Sequence, residues 1–424
     1  MSTSRVNSPL IVFIAGDLSG DLHASCLLKR LQSDWALKYP GRPPIRFAAA
    51  GSEHLRSAGA EIWEDATTWG AIGLVEGLKR LPTLIEAKRR LVARIRKEKP
   101  DLVIPVDFRA FNMSLLKDIR YRPDGSVQKA AYYIAPVLWA SPKEGKARSA
   151  VSAAVDVFRK LPGKAGRGAR DRFEALAELV DVALVAYPFS LEAYERAGVN
   201  YRYIGHPLGR IAQDEAQKRK YLSVYGSEIG DRRIVGVALG SRIHELRYHM
   251  PVIRELIERL LTRYPDLWVF CPVPSEKFKL LLGKMFGPVG EKVHFVPDDC
   301  YDLMESSELL IFKSGTSIQL ALLLAVPAVT FYKLASRWMV ALGKKLFQDL
   351  PFYAFPNLLA GREVIPEFVQ ERFTLPNIYV ACTELLDDKA KAGHMRAELA
   401  EVRKLTMKPD PIGEASEAIL ELLG

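Results

Sequence analysis

Two successive series of short apolar runs, each run separated from the next by an amphipathic stretch, limit this chain more than any other feature. The first series is LIVFIAG (10–16), IRFAAAG (45–51), LVIPVD (102–107), AAYYIAP (130–136), VALVAYP (182–188) and YRYIG (201–205). The second is IVGVALG (234–240), LWVFCPV (267–273), KVHFVP (292–297), LLIFKSG (309–315) and AVTFYK (328–333). Between them lie helical patterns such as ASCLLKRLQ and MPVIRELIERLLTRY. Strands that alternate with helices imply parallel sheets joined by crossover helices. The expected fold class is therefore α/β, with two Rossmann-like, doubly wound domains facing each other. A chain of 424 residues is too long for one ordinary core, which agrees. Gly and Pro punctuate IGHPLGR (204–210), so the expected domains are 1–208, 209–390 and a set of C-terminal helices, 391–424, packing back on the first.

Composition narrows the setting. Hydrophobic residues are 49% and charged ones 26%, the balance of a soluble globular chain, and no stretch approaches the roughly 18 apolar residues of a membrane span. Cys26, Cys271, Cys300 and Cys382 lie far apart without CxxC spacing, which argues against a zinc site or a disulfide framework and fits a reducing compartment. The opening MSTSRVNSPLIVFIAGD ends its apolar run in an acidic glycine turn instead of a small-residue cleavage site, so a cytoplasmic protein is expected. A net charge of +10 asks for an anionic partner: a nucleotide-linked substrate, an acidic lipid surface or nucleic acid. Zinc-finger spacing, an aromatic RNA-binding signature and a Lys/Arg tail are all missing from the sequence, so nucleic acid is not expected.

Two segments carry much of the positive charge. Residues 69–100 hold nine Lys/Arg against three Glu, with Leu and Ile between them, a pattern that suits anionic lipid at the Gly/Leu-rich front, Gly70–Leu81. The competing reading makes the half from Thr83 onward a crossover helix with Leu84, Leu91 and Ile95 turned inward. Phe352, Tyr353 and Phe355 are a second lipid-facing candidate, with core packing as the alternative. The basic, glycine-rich segment 143–178 reads as a surface excursion.

Ligands of open parallel sheets sit beyond the carboxyl ends of the strands, where strand order switches. Three turns there have the right chemistry: GDLSGDLH (16–23), LGSRIHEL (239–246) and KSGTSIQLALLLAVP (313–327). A helix N-terminus offers free N–H groups to an anion, and Ser or Thr adds donors. Arg242 is placed to fork onto a phosphate, or else to pair with Glu245 one turn on. A Walker loop is absent from the sequence. One Ser-Gly-Thr alone more often caps a helix, but two such turns in one domain point to a phosphate ligand.

AGDLSGDLHA, GAIGLVEGLKRLP, YYIAPVLWA, YPFSLEAY, YIGHPL, LGSRIHEL, SGTSIQLALLLAVPAVTFYK and PNLLAGREVIPEFVQ occur in the order and rough spacing of lipid-A-disaccharide synthases, from about residue 10 to residue 375. The chain resembles that family, and PNLLAGREVIPE is the most specific piece. The resemblance implies a two-domain GT-B glycosyltransferase that moves a diacylated glucosamine from UDP to lipid X at the cytoplasmic face of the inner membrane. Inversion at the anomeric carbon, with neither metal nor cofactor, is implied as well. So is a division in which the C-terminal domain holds UDP and the N-terminal domain the acceptor. Position by position, Ser241 and Arg242 match the family's Gly-Ser-Arg turn beside UDP, and Ser314, Gly315 and Thr316 its diphosphate turn. Asn357 and Arg362 match the asparagine and arginine of the Pro-Asn-Leu-Leu-Ala-Gly-Arg run. Ser19, Gly20 and Asp21 match the Ser-Gly-Asp turn, where an acceptor sugar or its phosphate is expected.

Departures from the family pattern fall on chemistry. Asp17 stands for the usual glutamate, one methylene shorter. In VDFRAFN the first aspartate, Asp107, is kept, while the second, an acid essential to catalysis in the family, is Ala110. The glutamate expected after Ser-Gly-Thr, a ribose acceptor, is Leu320; the proline before Gly-Ser-Arg is Ala238 or absent; residues 150–178 are extra. Three groups stay open as the catalytic base: Asp107 at a strand end, and Asp21 and His23 in the opening turn. His206 is expected to order the linker by hydrogen bonding. Three functions also stay open: an active transferase, a related protein that binds a nucleotide sugar or glycolipid with altered or no activity, and a cytosolic GT-B enzyme with a non-lipid acceptor, against which the basic-apolar stretch 69–100 argues.

Overall fold

The computed structural model describes residues 8–67, 69, 74–136, 174–240, 243–315, 317–333 and 352–424. These fall into two compact units. One comprises the described chain up to Pro207 together with Thr406–Gly424, the other runs Leu208–Leu405.

The first unit is built on β1 (Leu10–Ala15), β2 (Arg46–Gly51), β3 (Glu61–Asp65), β4 (Leu102–Val106), β5 (Ala131–Tyr133), β6 (Val182–Val185) and β7 (Tyr201–Tyr203). Its sheet is parallel, in the order β3-β2-β1-β4-β5-β6-β7. The chain winds outward from β1 to β3 and then returns to lay β4 on the other side of β1. The switch point is therefore between β1 and β4, whose carboxyl ends are level because Ala15 pairs with Val106. From Ile11 to Ala15 β1 is wholly buried, as a central strand covered on both faces must be. Among its covering helices, Leu74–Glu98 turns Ala87, Leu91 and Ile95 inward at intervals of four residues.

The second unit repeats the plan with β8 (Arg233–Ala238), β9 (Leu267–Val273), β10 (Val293–Pro297), β11 (Leu309–Lys313), β12 (Ala328–Tyr332) and β13 (Glu367–Val369). The order is β10-β9-β8-β11-β12-β13, again parallel, so its switch point lies between β8 and β11. The helix Lys389–Lys404 is fastened here: Arg403 donates to the Leu323 carbonyl at 3.0 Å and Arg396 to that of Ala325 at 3.2 Å.

The helix Pro411–Leu423 instead packs on the opening helix, Leu18–Lys38, of the first unit. Arg30 bridges Asp34 and Asp410 at 2.9 and 2.8 Å, and the Ser416 hydroxyl donates to Asp34 at 2.6 Å. The expected α/β class is observed, and every apolar run of both series contains a strand. Two strands come in addition, β3 and β13, each at the edge of its sheet.

Of the basic stretch 69–100, residues 70–73 and the side chains of 74–81 lie outside the described residues, so the lipid-facing candidate does too. The following half is a crossover helix. Leu91 and Ile95 are buried, Leu84 packs against the same core, and the cations meet acids: Lys88 with Asp118 at 2.7 Å, Arg90 with Glu64 at 2.6 Å, and Arg94 with Glu61. Residues 143–173 of the basic excursion lie outside the described residues. Tyr353 is exposed and Phe352 and Phe355 are half-buried. No described helix is long and apolar enough to cross a membrane.

Candidate functional site

At the first switch point two loops meet. Gly16 ends β1, and Asp17 caps the opening helix by accepting from the Gly20 N–H at 2.7 Å. Opposite, β4 ends in Asp107 and Phe108, and both adopt left-handed backbone angles, each with φ of 41°. That conformation costs about 1–2 kcal/mol for an ordinary L-residue, and two in succession persist only when the surroundings impose them. Here the surroundings do. The Asp107 N–H donates to the Tyr133 carbonyl at 3.1 Å, while its own carbonyl accepts from the Tyr132 hydroxyl at 2.7 Å and the Asn112 amide at 2.9 Å. The Phe108 ring lies so close to Gly16 that a Cβ there would sit 2.1 Å from it, so only glycine fits. The strain thereby fixes where the Asp107 carboxyl stands. That side chain reaches solvent, yet protein crowds it from most directions. This desolvation, reinforced by the negative charge of Asp17 and opposed by the Phe108 N–H, raises its carboxyl to about 6.

The other residues of the opening turn have different work. Ser19 is exposed in the first turn of the helix and Gly20 is buried beneath it. Asp21 is buried, and both its oxygens are taken: it accepts from the Ser52 N–H and hydroxyl, each at 2.6 Å, and from the His54 N–H at 2.9 Å. A carboxylate so engaged fastens the opening helix to the loop after β2 and has no oxygen turned to a substrate, which corrects its reading as a base. His23 is also buried, its Nδ1 without a partner among the described residues, and burial pushes its imidazole down to about 4. It packs edge-on against His206, ring centres 5.5 Å apart. A group that holds a proton so weakly inside the core does not serve as base either. His206 orders its loop through its backbone, the N–H donating to the Thr406 carbonyl at 3.3 Å, and its ring lies between His23 and Tyr187.

At the second switch point Gly240 follows β8 and Ser314-Gly315 follows β11. Of the residues matched to the nucleotide turns, Ser241, Arg242 and Thr316 lie outside the described residues. Ser314 is half-buried, its N–H extending the β11–β12 pairing to the Phe331 carbonyl at 2.8 Å, and Gly315 is exposed. A residue that motif reading passed over sits beneath these turns. Lys313, the last residue of β11, is only 6% exposed, with Nζ 2.7 Å from Glu245 and 5.1 Å from the centre of the Tyr332 ring. The carboxylate offered by the sequence to Arg242 is thus engaged by Lys313. Leu320, at the ribose-acceptor position, is buried, and its neighbour Gln319 is buried with an amide oxygen that has no partner among the described residues.

The remaining two matched residues each have protein partners. Asn357 is fully buried: its oxygen accepts from the Val364 and Ile365 N–H groups at 2.7 and 2.9 Å, and its amide donates to the Ile365 carbonyl and to Glu367 at 2.8 and 2.6 Å. With every donor and acceptor site used, it shapes the loop before β13 and has nothing left for a nucleotide. Arg362 is engaged on the surface with Glu398 of the helix Lys389–Lys404. For Asn357 this corrects the assignment as a UDP ligand; Arg362, exposed, is seen only in its ion pair. Among the described residues no group of three or more His, Cys, Asp or Glu is arranged to hold a metal.

The family model described as lipid-A-disaccharide synthetase matches residues 11–164 and 169–413. A lipid-A-disaccharide synthase of Geobacter sulfurreducens is 30% identical over 414 residues, covering 98% of this chain and 97% of the relative. One from Nitrosococcus oceani is 27% identical, covering 94% and 92%. Among solved structures, the UDP-GlcNAc 2-epimerase of Neisseria meningitidis bound to UDP-GlcNAc superposes with a TM-score of 0.59 at 12% identity, covering 98% of this chain and 99% of that one. The calicheamicin glycosyltransferase superposes with a TM-score of 0.56 at 13% identity, covering 99% of each. These likenesses describe the fold, which is that of GT-B glycosyltransferases and related epimerases. The family match runs along almost the whole length, and a relative at 30% identity covers 98% of the chain: the chain belongs to the lipid-A-disaccharide synthase family of glycosyltransferases.

Proposed function

We propose that this glycosyltransferase moves a diacylated glucosamine from UDP to lipid X, with Asp107 as the general base. The acceptor lies at the Ser19–Gly20 turn and UDP at the turns Gly240–Arg242 and Ser314–Thr316. In the transfer the acceptor hydroxyl gives its proton to Asp107 as its oxygen bonds to the anomeric carbon. The bond to the diphosphate oxygen breaks, and UDP leaves with the electron pair. Attack opposite the leaving group inverts the centre, and no metal takes part. Arg242 and the backbone N–H groups of the two turns stabilise the charge that grows on the diphosphate. The acceptor at Leu320 is replaced by the amide oxygen of Gln319, which receives a ribose hydroxyl. The protein works peripherally at the cytoplasmic face of the inner membrane, where its net charge of +10 favours anionic lipid.

The observation that carries this reading is the Asp107 carboxyl. It is held by a strained turn at the switch point, exposed, and raised to about 6, so it is ionised at neutral pH while still basic enough to accept a proton. Such a group stands in for the acid that Ala110 lacks. The test is turnover of UDP-diacylglucosamine and lipid X by the purified protein, beside Asp107→Asn. Product from the wild type and a collapse of turnover in the variant are expected. Binding of UDP without product would instead favour the reading that Ala110 and Leu320 mark a binding protein. Unchanged turnover in the variant would remove Asp107 from the mechanism and leave the reaction standing.

A further inference from the structure

We propose that Lys313 is a positioning cation for the leaving diphosphate, buried between the two glycine turns of the second switch point and held ready there by Glu245. This rests on the reading that the second unit holds the nucleotide. Lysine is almost never buried unless paired, and Lys313 is 6% exposed with Glu245 only 8% exposed beside it. A buried ion pair is often no more stabilising than apolar side chains of the same volume, so stability alone gives little reason to keep one. Its place gives a better one. The stem of Lys313 passes under Gly240, where a Cβ would meet Cδ at 3.3 Å and where φ of 74° already favours glycine. The ammonium ends under Gly315, 3.7 Å from where a Cβ would be. Both turns therefore rest on one side chain, and that side chain carries a positive charge.

The surroundings keep the charge in place. Glu245 lies in the first turn of the helix Ile243–Arg263 and accepts from the Tyr332 hydroxyl at 3.3 Å; the Tyr332 ring faces the ammonium. His249, one turn further along the same helix, is fully buried among Phe331, Tyr332 and Phe373 and is held neutral by that burial, so it adds no competing charge. Without ligand, Glu245 balances Lys313. When a diphosphate settles on the turns, the ammonium beneath Gly315 is a buried cation close to it, in surroundings where fields are weakly screened. Lys313 then acts through the turns it supports and through its field, and Glu245 competes with the ligand for it.

That competition predicts an asymmetry that loss of packing does not. Calorimetric titration of the purified full chain with UDP, and with uridine as the probe lacking a diphosphate, is the experiment. Lys313→Met combined with Glu245→Gln, a neutral pair of similar volume, is expected to weaken UDP at least tenfold and uridine less than twofold. Glu245→Gln alone is expected to tighten UDP at least twofold relative to uridine, because the cation loses its rival. Equal weakening of UDP and uridine in the double variant overturns the proposal, as does weaker or unchanged UDP binding in Glu245→Gln. Should the double variant fail to fold, the single variant decides by the same criterion. Absence of UDP binding by the wild type overturns both the nucleotide reading and the part given to Lys313.

Discussion

The two switch points share one topology and present different side chains. Between β1 and β4 the conspicuous groups are carboxylates, Asp17 as a helix cap and Asp107 on a turn held in strained backbone angles. Between β8 and β11 they are two glycine turns over a buried ammonium. Proton removal asks for a base made less acidic by its surroundings. Departure of a diphosphate asks for donors and cations fixed in advance. The same winding of the chain supplies the crevice twice, with different residues at its lip.

The largest expected break in that contrast is Asp107→Asn. Asparagine tolerates left-handed backbone angles, so the turn survives while the base is lost, and kcat is expected to fall by roughly 10² to 10⁴. Stability moves the other way. The Asp107 carboxyl is raised from 3.8 to about 6, so the folded state holds the proton more firmly and is disfavoured as pH climbs through that window. The variant should therefore melt higher than the wild type at pH 7 to 8, and calorimetry checks the sign.

Next come the fastening residues. Asp21→Ala strands the Ser52 and His54 N–H groups, and Asn357→Ala those of Val364 and Ile365, so each should lower unfolding free energy by about 3 kcal/mol in denaturant titrations. For Asn357→Ala, UDP affinity of the folded fraction should stay within twofold. A larger loss would return Asn357 to the nucleotide site.

A subtler test is the acid limb of kcat/KM. It should fall as pH drops through about 6, and Asp17→Asn should move it to lower pH, because the negative charge of Asp17 is one cause of the raised value. A limb that moves upward or stays in place would detach Asp17 from Asp107. Smallest of all is Arg362→Ala. Arg362 is exposed, so stability should change by less than about 1 kcal/mol and UDP affinity not at all.

Much of this was legible beforehand, for physical reasons that differ from place to place. Strands such as β1 and β4 are covered on both faces and so read as unbroken apolar runs. The edge strands β3, with its pattern Glu-Ile-Trp-Glu-Asp, and β13, three residues long, have one side uncovered and gave no such signal. Turns following strands identified both switch points. The jobs of individual polar residues were harder to read, because a hydrogen-bond partner distant in sequence leaves no mark beside the residue. Asp21 is answered by Ser52, and Asn357 by Val364, Ile365 and Glu367. Lys313 opens the turn 313–327, but its partner Glu245 lies on another element, so nothing beside it in sequence marks its burial. The positive φ of Asp107 and Phe108 is imposed by Tyr132, Asn112 and Gly16 together, which no local pattern announces.

The return of residues 406–424 to the opening helix has a consequence for biosynthesis. Asp410 and Ser416, which hold Arg30 and Asp34, emerge from the ribosome only after the whole of residues 208–405. At ~5–20 residues per second the first unit waits on the order of 10–40 s for its last helix. During that interval one flank of Leu18–Lys38 is bare, and this nascent intermediate is the form in which the protein is most open to chaperones and proteases.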